Sequence, residues 1–471
     1  MVPYRRERDL LGDREVPQNV YYGIQSARAL ENFPRTGYKP HRELIMALVQ
    51  VKKAAAQANM KTKRLNPTTG NAIVAACDEI LSGELLDQFV VDVIQGGAGT
   101  SLNMNANEVI ANRAIELLGG NKGDYILVSP NTHVNMAQST NDVFPTAIKI
   151  ASLNLASSLL DALQKLVQAL RAKEQEFDGI IKMGRTHLQD AVPIRLGQEF
   201  GAWACAIERD IQRIEAAAQG MRVISMGATA VGTGLNADVE YIKHVTEILA
   251  ANTGLPLEQS KNMVDSTQNA DVYVTLSGAL KICAVNLSKM ANDLRLMASG
   301  PRCGLNEINL PAMQPGSSIM PGKVNPVMAE VVNQVAFQVV GNDMTITMAA
   351  EAGQLELNVM EPVMTFNLLQ SLDIVRNVVT VFTEKCVKGI TANVQRCRQM
   401  VEQSVGIITA INPHVGYETA TLIAKEAITT GRPVREIVLE RGILTEEELD
   451  IILNPQEMTK PGIAGAELLN K

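Results

Sequence analysis

The chain has 471 residues, 46% of them hydrophobic and 20% charged, and 43 Lys and Arg against 50 Asp and Glu leave a net charge of −7. This composition excludes wholesale disorder, and the acidic balance argues against nucleic acid or an anionic membrane as partner, since both need clustered Lys and Arg. Aromatics are only 4%, with Trp203 the single tryptophan, so the core has to be built from Leu, Ile, Val, Ala and 20 Met.

In chain order, Met1–Asp9 runs into charge in place of an apolar segment, so no signal peptide is expected. Residues 1–140 read as an N-terminal domain of short helical stretches and turns, among them Thr68-Thr-Gly70 and Gly96-Gly-Ala-Gly99. After Pro145, a stripe of Leu153, Ala156, Leu160, Leu163, Val167 and Leu170 follows the spacing of one helix face. Phe200, Trp203, Ile207, Ile211 and Ile214 form a second stripe. The third is the longest: Val272, Leu276, Leu280, Cys283, Leu287, Met290, Leu294 and Met297 predict a helix of ~26 residues, about 40 Å long, ending before Gly300-Pro301. A fourth lies beyond Pro326 (Val327, Val331, Val335, Val339) and a fifth beyond Pro362 (Phe366, Leu369, Leu372, Val375, Val379, Phe382).

These five long helices predict an all-α fold whose central domain, 141–395, is an elongated bundle. Their remaining faces are small or apolar, which predicts burial against other subunits. The charged, helical tail, 396–471, is expected to be a small C-terminal domain. No uncharged run reaches the ~18 apolar residues of a membrane span. The six cysteines (Cys77, Cys205, Cys283, Cys303, Cys386, Cys397) are scattered with no CxxC pair, which suits a reducing cytoplasm better than a disulfide framework or a zinc cage.

Four stretches interrupt the helical pattern with small polar residues that a core does not need: Gly96–Asn105, Asn135–Asp142, Gly184–Asp190 and Gln314–Pro326. Taken singly each has a plain reading. Thr140 or Asn141 suits a helix N-cap, Gly96–Gly99 a turn, and His187 a satisfied polar group. Together, their Thr, Ser and Asn side chains and glycine-exposed backbone N–H groups form a donor set suited to carboxylates without net positive charge. Gly316–Gly322 is not a Walker A loop, because it encloses five residues and Val324 stands where Ser or Thr is required. Gly97-Ala-Gly99 lacks the third glycine of a dinucleotide fingerprint. His41, His133, His187, His244 and His414 show no metal-ligand spacing.

Gly316-Ser-Ser-Ile-Met-Pro-Gly-Lys-Val-Asn-Pro326 resembles the signature loop of the aspartase/fumarase superfamily. The Gly-Thr-Ser, Ser-Thr-Asn-Asp and Gly-Arg-Thr-His regions, Gly227–Asn236 and Asn412–Tyr417 match other family patterns in the same order, so the resemblance spans essentially the whole chain. It implies the three-domain superfamily fold, with a multi-helix core built in a homotetramer whose active sites are each shared by three subunits.

Met136 and Thr140, where fumarases typically have Lys and Ser, together with Leu188–Val192 and Leu357–Pro362, favour the branch that converts L-aspartate reversibly to fumarate and ammonia. Class II fumarase is the alternative. His187 is a feature shared with fumarases, and Ala137 and Met313 depart from the pattern without a functional account.

The resemblance further implies that Ser317 is the general base and that His187 and Asn141 meet the amino group. Thr100, Ser139, Thr140 and Ser318 would hold the β-carboxylate, and Thr186, Lys323 and Asn325 the α-carboxylate. Met320 would also line the substrate. It implies no cofactor and no metal for the chemistry, with activation by a divalent cation, shown by some members, left to experiment. The expected partner is a small-molecule substrate in the cytoplasm, with neither nucleic acid nor membrane.

Overall fold

In the computed structural model, residues 3–33 and 35–470 are described. Strands β1 (Tyr4–Asp9) and β2 (Gly12–Pro17) form an antiparallel hairpin that pairs Tyr4 with Pro17 and Asp9 with Gly12. Helices α1 (Ile24–Asn32), α2 (Arg42–Lys61), α3 (Pro67–Leu81) and α4 (Thr100–Leu117) follow, so the first 140 residues carry longer helices than their turn-rich sequence predicts. Helix α5 (Thr140–Glu176) leads into a second hairpin, β3 (Ile181–Thr186) and β4 (Gln189–Arg195), and then α6 (Leu196–Gln219).

The short parallel pair β5 (Val223–Ile224) and β6 (Glu258–Gln259) flanks α7 (Val239–Thr253). After α8 (Met263–Gln268) come α9 (Asp271–Met297), β7 (Ile308–Asn309), α10 (Val327–Glu351) and α11 (Glu361–Lys385). Strand β8 (Thr391–Ala392) pairs with β7, and α12 (Val394–Gln403), α13 (Ile408–Val415), α14 (Tyr417–Thr430), α15 (Val434–Glu440) and α16 (Glu446–Ile452) complete the helices considered below.

The five predicted stripes are the five longest helices, and α9 spans 27 residues, ending at Met297 as its apolar pattern does. The start of α5 differs from expectation. It begins at Thr140 and takes Pro145 into its interior, which denies the carbonyl of Asn141 its usual helical donor. The residue that caps it is Ser139, not Thr140 or Asn141. Its Oγ accepts the Asn141 N–H at 3.2 Å and its carbonyl accepts that of Val143 at 3.1 Å. This helix is long and apolar enough to cross a membrane by length and composition, but 78% of its most apolar window is buried within the chain, which accounts for that apolarity.

The chain forms two compact units, each holding a portion of all five long helices. The first comprises Met1–Asp161, Asp210–Ala284 and Val335–Arg376. Its core is rich in Ala, Leu, Ile and Val from α2, α3, α4 and the first half of α5. Its part of α10 leaves Phe337, Val340, Met344 and Met348 exposed at three- and four-residue spacing, with Phe337 68% accessible. Such a stripe on one helix face is an unpartnered apolar surface.

The second unit comprises Ala162–Arg209, Val285–Gln334 and Asn377–Lys471. There Met183 of β3 packs into a core of Ile411, Ile423, Ile437, Val438, Leu449 and Ile452 from the C-terminal helices.

Candidate active site

In the first unit, two of the four polar stretches meet at the starts of α4 and α5. Gly99, the residue before α4, lies at φ +90°, and a Cβ there would collide with the ring of Phe144 in the second turn of α5. Glycine is therefore required both for backbone sign and for space. Thr100 is the first residue of α4, and Asn103 Nδ2, one turn on, donates to Thr140 Oγ1 at 3.0 Å, which ties the start of α4 to that of α5. An open cleft of about 760 Å³ borders Thr100 and Ser101, with Arg28, Glu108 and Tyr125 on its walls.

Beneath this turn lies a charged group that the sequence reading did not single out. Lys52 on α2 is fully buried, and its Nζ donates to Asn135 Oδ1 at 2.9 Å and to Gln138 Oε1 at 3.0 Å. Burial pushes the Lys52 ammonium down to about 7, and the Asp142 carboxylate opposes that shift. Asp142 is also fully buried, with Oδ1 accepting the Ser139 N–H at 2.9 Å and Oδ2 those of Gly227 and Thr229, each at 3.1 Å. Burial raises its pKa to about 7 against the pull of these three N–H groups and of Lys52. The only signal for Lys52 in the sequence is a lysine inside an apolar, alanine-rich helix. Its neighbour Lys53 turns outward to Asp78, so the pair Lys52-Lys53 looks like an ordinary solvated face.

In the second unit, Thr186 ends β3 and pairs with Gln189, so His187 and Leu188 form a two-residue turn. Both have left-handed backbones, at φ 54° and 60°, the geometry of a type I′ turn that Asn and Gly ordinarily supply. Holding two side chains there costs energy that the rest of the hairpin must offset, a pattern that clusters at functional sites. Strand β3 is secured along its length by Glu307, whose buried carboxylate meets Lys182 at 3.3 Å and Arg185 at 2.8 Å.

Glu307 directly precedes β7, which leads into the loop of the fourth stretch. In that loop the Gly316 N–H donates to the Lys323 carbonyl at 2.7 Å and Asn325 Nδ2 to the Gly316 carbonyl at 2.8 Å. A Cβ on Gly316 would lie 2.7 Å from Lys323 O, so the closure requires glycine. Within it, Ser317 Oγ accepts the backbone N–H groups of Ile319 at 3.2 Å and Met320 at 3.0 Å. Ser318, Met320 and Lys323 stand exposed, as do Thr186 and His187. Among the described residues no hydrogen bond joins Thr186 or His187 to Ser317, Ser318, Met320, Lys323 or Asn325.

A lyase family profile matches residues 12–341 of this chain, and a profile for the fumarase C C-terminus matches residues 407–460. The chain belongs to the aspartase/fumarase superfamily. Among superfamily members, aspartate ammonia-lyase of Bacillus subtilis (strain 168) is 65% identical, the match covering 99% of this chain and 98% of that protein. The enzyme of the same name from Escherichia coli (strain K12) is 50% identical over 97% of this chain and 96% of that one.

Solved superfamily structures agree with the fold. A Brucella melitensis protein described as fumarate lyase:delta crystallin, bound to cobalt, superposes with a TM-score of 0.95 at 51% identity, covering 98% of this chain and all of that one. Recombinant class II fumarase from Schistosoma mansoni superposes at 0.93 but is 35% identical, with the same coverage. The fumarase superposes nearly as well as the Brucella protein at a lower identity, so the fold by itself does not exclude the fumarase branch.

Proposed function

We propose that the chain is an aspartate ammonia-lyase, converting L-aspartate reversibly to fumarate and ammonia. The observation that carries the reading is the cradle of Ser317, whose Oγ accepts two backbone N–H groups inside a loop closed at Gly316. A serine hydroxyl is a weak base, and two fixed donors stabilise its alkoxide without adding a charge. The choice of leaving group rests on relatives of that name at 50–65% identity, against 35% for the fumarase.

Ser317 takes the β-proton, and the electron pair of the broken C–H bond moves into the β-carboxylate as an enediolate. That pair then forms the C=C bond and expels ammonia from Cα on the opposite face. Thr100, Ser139, Thr140 and Ser318 hold the β-carboxylate, where one well-placed donor contributes about 3–4 kcal/mol as charge develops. Thr186, Lys323 and Asn325 hold the α-carboxylate, Asn141 and His187 meet the amino group, and Met320 lines the substrate. The chemistry needs neither metal nor cofactor.

The working form is a homotetramer whose sites draw on three chains, and the exposed Ile319, Met320 and Val324 of the serine loop and the apolar stripe of α10 support it. A division into residues 1–140, 141–395 and 396–471 and a cytoplasmic location complete the reading. The test is fumarate's ultraviolet absorbance after addition of L-aspartate or of L-malate. A rise with aspartate alone is expected, and a rise with malate alone makes the chain a fumarase.

A further inference from the structure

The amide of Asn141 can face a substrate with either its oxygen or its NH2, and the two choices suit opposite chemistry. In this structure Nδ2 donates to the carbonyl of Ala230 at 2.7 Å, and Oδ1 accepts no hydrogen bond from the described residues. A carbonyl can only accept, so Ala230 fixes the amide with its NH2 engaged and leaves an acceptor for the ligand.

Ala230 lies in a loop with little freedom of its own. Gly227, Gly232 and Gly234 have φ of +90°, +93° and +73°, and Thr229 stands at +58°. The buried carboxylate of Asp142 holds this loop by accepting the N–H groups of Gly227 and Thr229.

We propose that the Gly227–Gly234 loop, latched by Asp142, sets the polarity of Asn141, so that the site presents an acceptor to a substrate ammonium and selects ligands that carry one. Asp142 is in this sense a positioning residue: it reaches the substrate through Ala230 and Asn141. The inference rests on the proposed contact between Asn141 and the amino group.

Asp142→Asn keeps an oxygen for the Ser139 N–H and sets an NH2 against those of Gly227 and Thr229, which unlatches the loop selectively. Gly227→Ala strains the same loop without touching the buried charge, because the methyl would lie 2.8 Å from Ile242 Cγ1. Calorimetric dissociation constants for L-aspartate and for succinate, which has both carboxylates and no amine, read the effect without turnover when the wild-type loop and both variants are compared in a Ser317→Ala background, and a thermal melt confirms that each variant is folded.

The expected result in both variants is at least a tenfold loss of aspartate affinity, with succinate within threefold of wild type. Equal weakening of the two ligands, or aspartate binding unchanged, in whichever variant folds overturns the proposal. Wild-type protein that binds aspartate but releases no fumarate refutes the ammonia-lyase reading instead, and leaves the ratio of the two affinities readable.

Discussion

Gly316→Ala isolates the closure of the serine loop from the serine itself. The added Cβ would lie 2.7 Å from Lys323 O, 2.9 Å from Asn325 N and 3.0 Å from Lys323 C, all backbone atoms with no flexible end to swing away. Restoring an ordinary contact of 3.4 Å requires the two limbs to separate by 3.4 − 2.7 = 0.7 Å. The Gly316-to-Lys323 hydrogen bond then stretches from 2.7 Å to about 3.4 Å, the limit of such a bond, and the Asn325 bond to the Gly316 carbonyl is displaced with it. Two hydrogen bonds at about 1 kcal/mol each amount to about 2 kcal/mol, or about a 30-fold loss in kcat/KM for aspartate. Because the loop is exposed, the melting temperature should move by less than about 2 °C. Fumarate release gives the rate and calorimetry the melt. A folded variant with kcat/KM within threefold of wild type refutes the claim that the Gly316 closure holds Ser317 for catalysis.

Ser317→Ala should nearly abolish kcat while leaving substrate binding mostly intact, and Lys323→Ala should chiefly raise KM; steady-state kinetics separates the two, and near-normal turnover of the first removes the base assignment. Met344→Glu places a charge in the exposed stripe of α10 and should lower the light-scattering mass below four chains together with the activity. Two inactive variants altered in different stretches, mixed and reassembled, should regain part of the activity, because a shared site can be rebuilt from intact contributions. Acid stability tests His41, whose Nδ1 caps α2 by accepting the Glu43 N–H and whose pKa burial lowers, with Asp373, Glu43 and Arg376 as charged neighbours. A depressed folded-state pKa means that its stabilisation is full above the unfolded value of about 6.5 and is lost as pH falls through the lower folded value. Melts between pH 7 and 5 should therefore show a steeper decline for wild type than for His41→Asn, and parallel curves would contradict this.

The long helices were legible because each buries one stripe, and a stripe repeats in sequence at the helical period. The serine loop was legible as well, since its glycines, prolines and serines serve no core. Legibility failed where a residue's role depends on distant partners. Arg185-Thr186-His187-Leu188-Gln189 signals a tight turn only weakly, because its two left-handed positions hold His187 and Leu188 where Asn and Gly ordinarily stand. The start of α5 is not legible because Pro145 reads locally as a helix stop, while the Ser139 cap and the packing of Phe144 carry the helix through it. Lys52 is not legible because whether a lysine faces water or a cage of amide oxygens is decided by Asn135 and Gln138, more than 80 residues away. The roles given to Thr100, Ser139, Thr140, Thr186 and Asn325 rest on resemblance, and the structure contributes the hydrogen bonds that position several of these side chains.

Apart from Lys323, the side chains that the proposed reading assigns to the two carboxylates are electrically neutral hydroxyls and amides. Attraction between full charges is screened beyond a Debye length of about 8 Å in physiological salt, whereas a hydrogen bond at contact distance is not. A chain of net charge −7 gains little long-range steering of a dicarboxylate in any case. On that reading, capture by neutral dipoles makes affinity a matter of fit at close range, nearly indifferent to ionic strength, with Lys323 the source of whatever salt dependence remains.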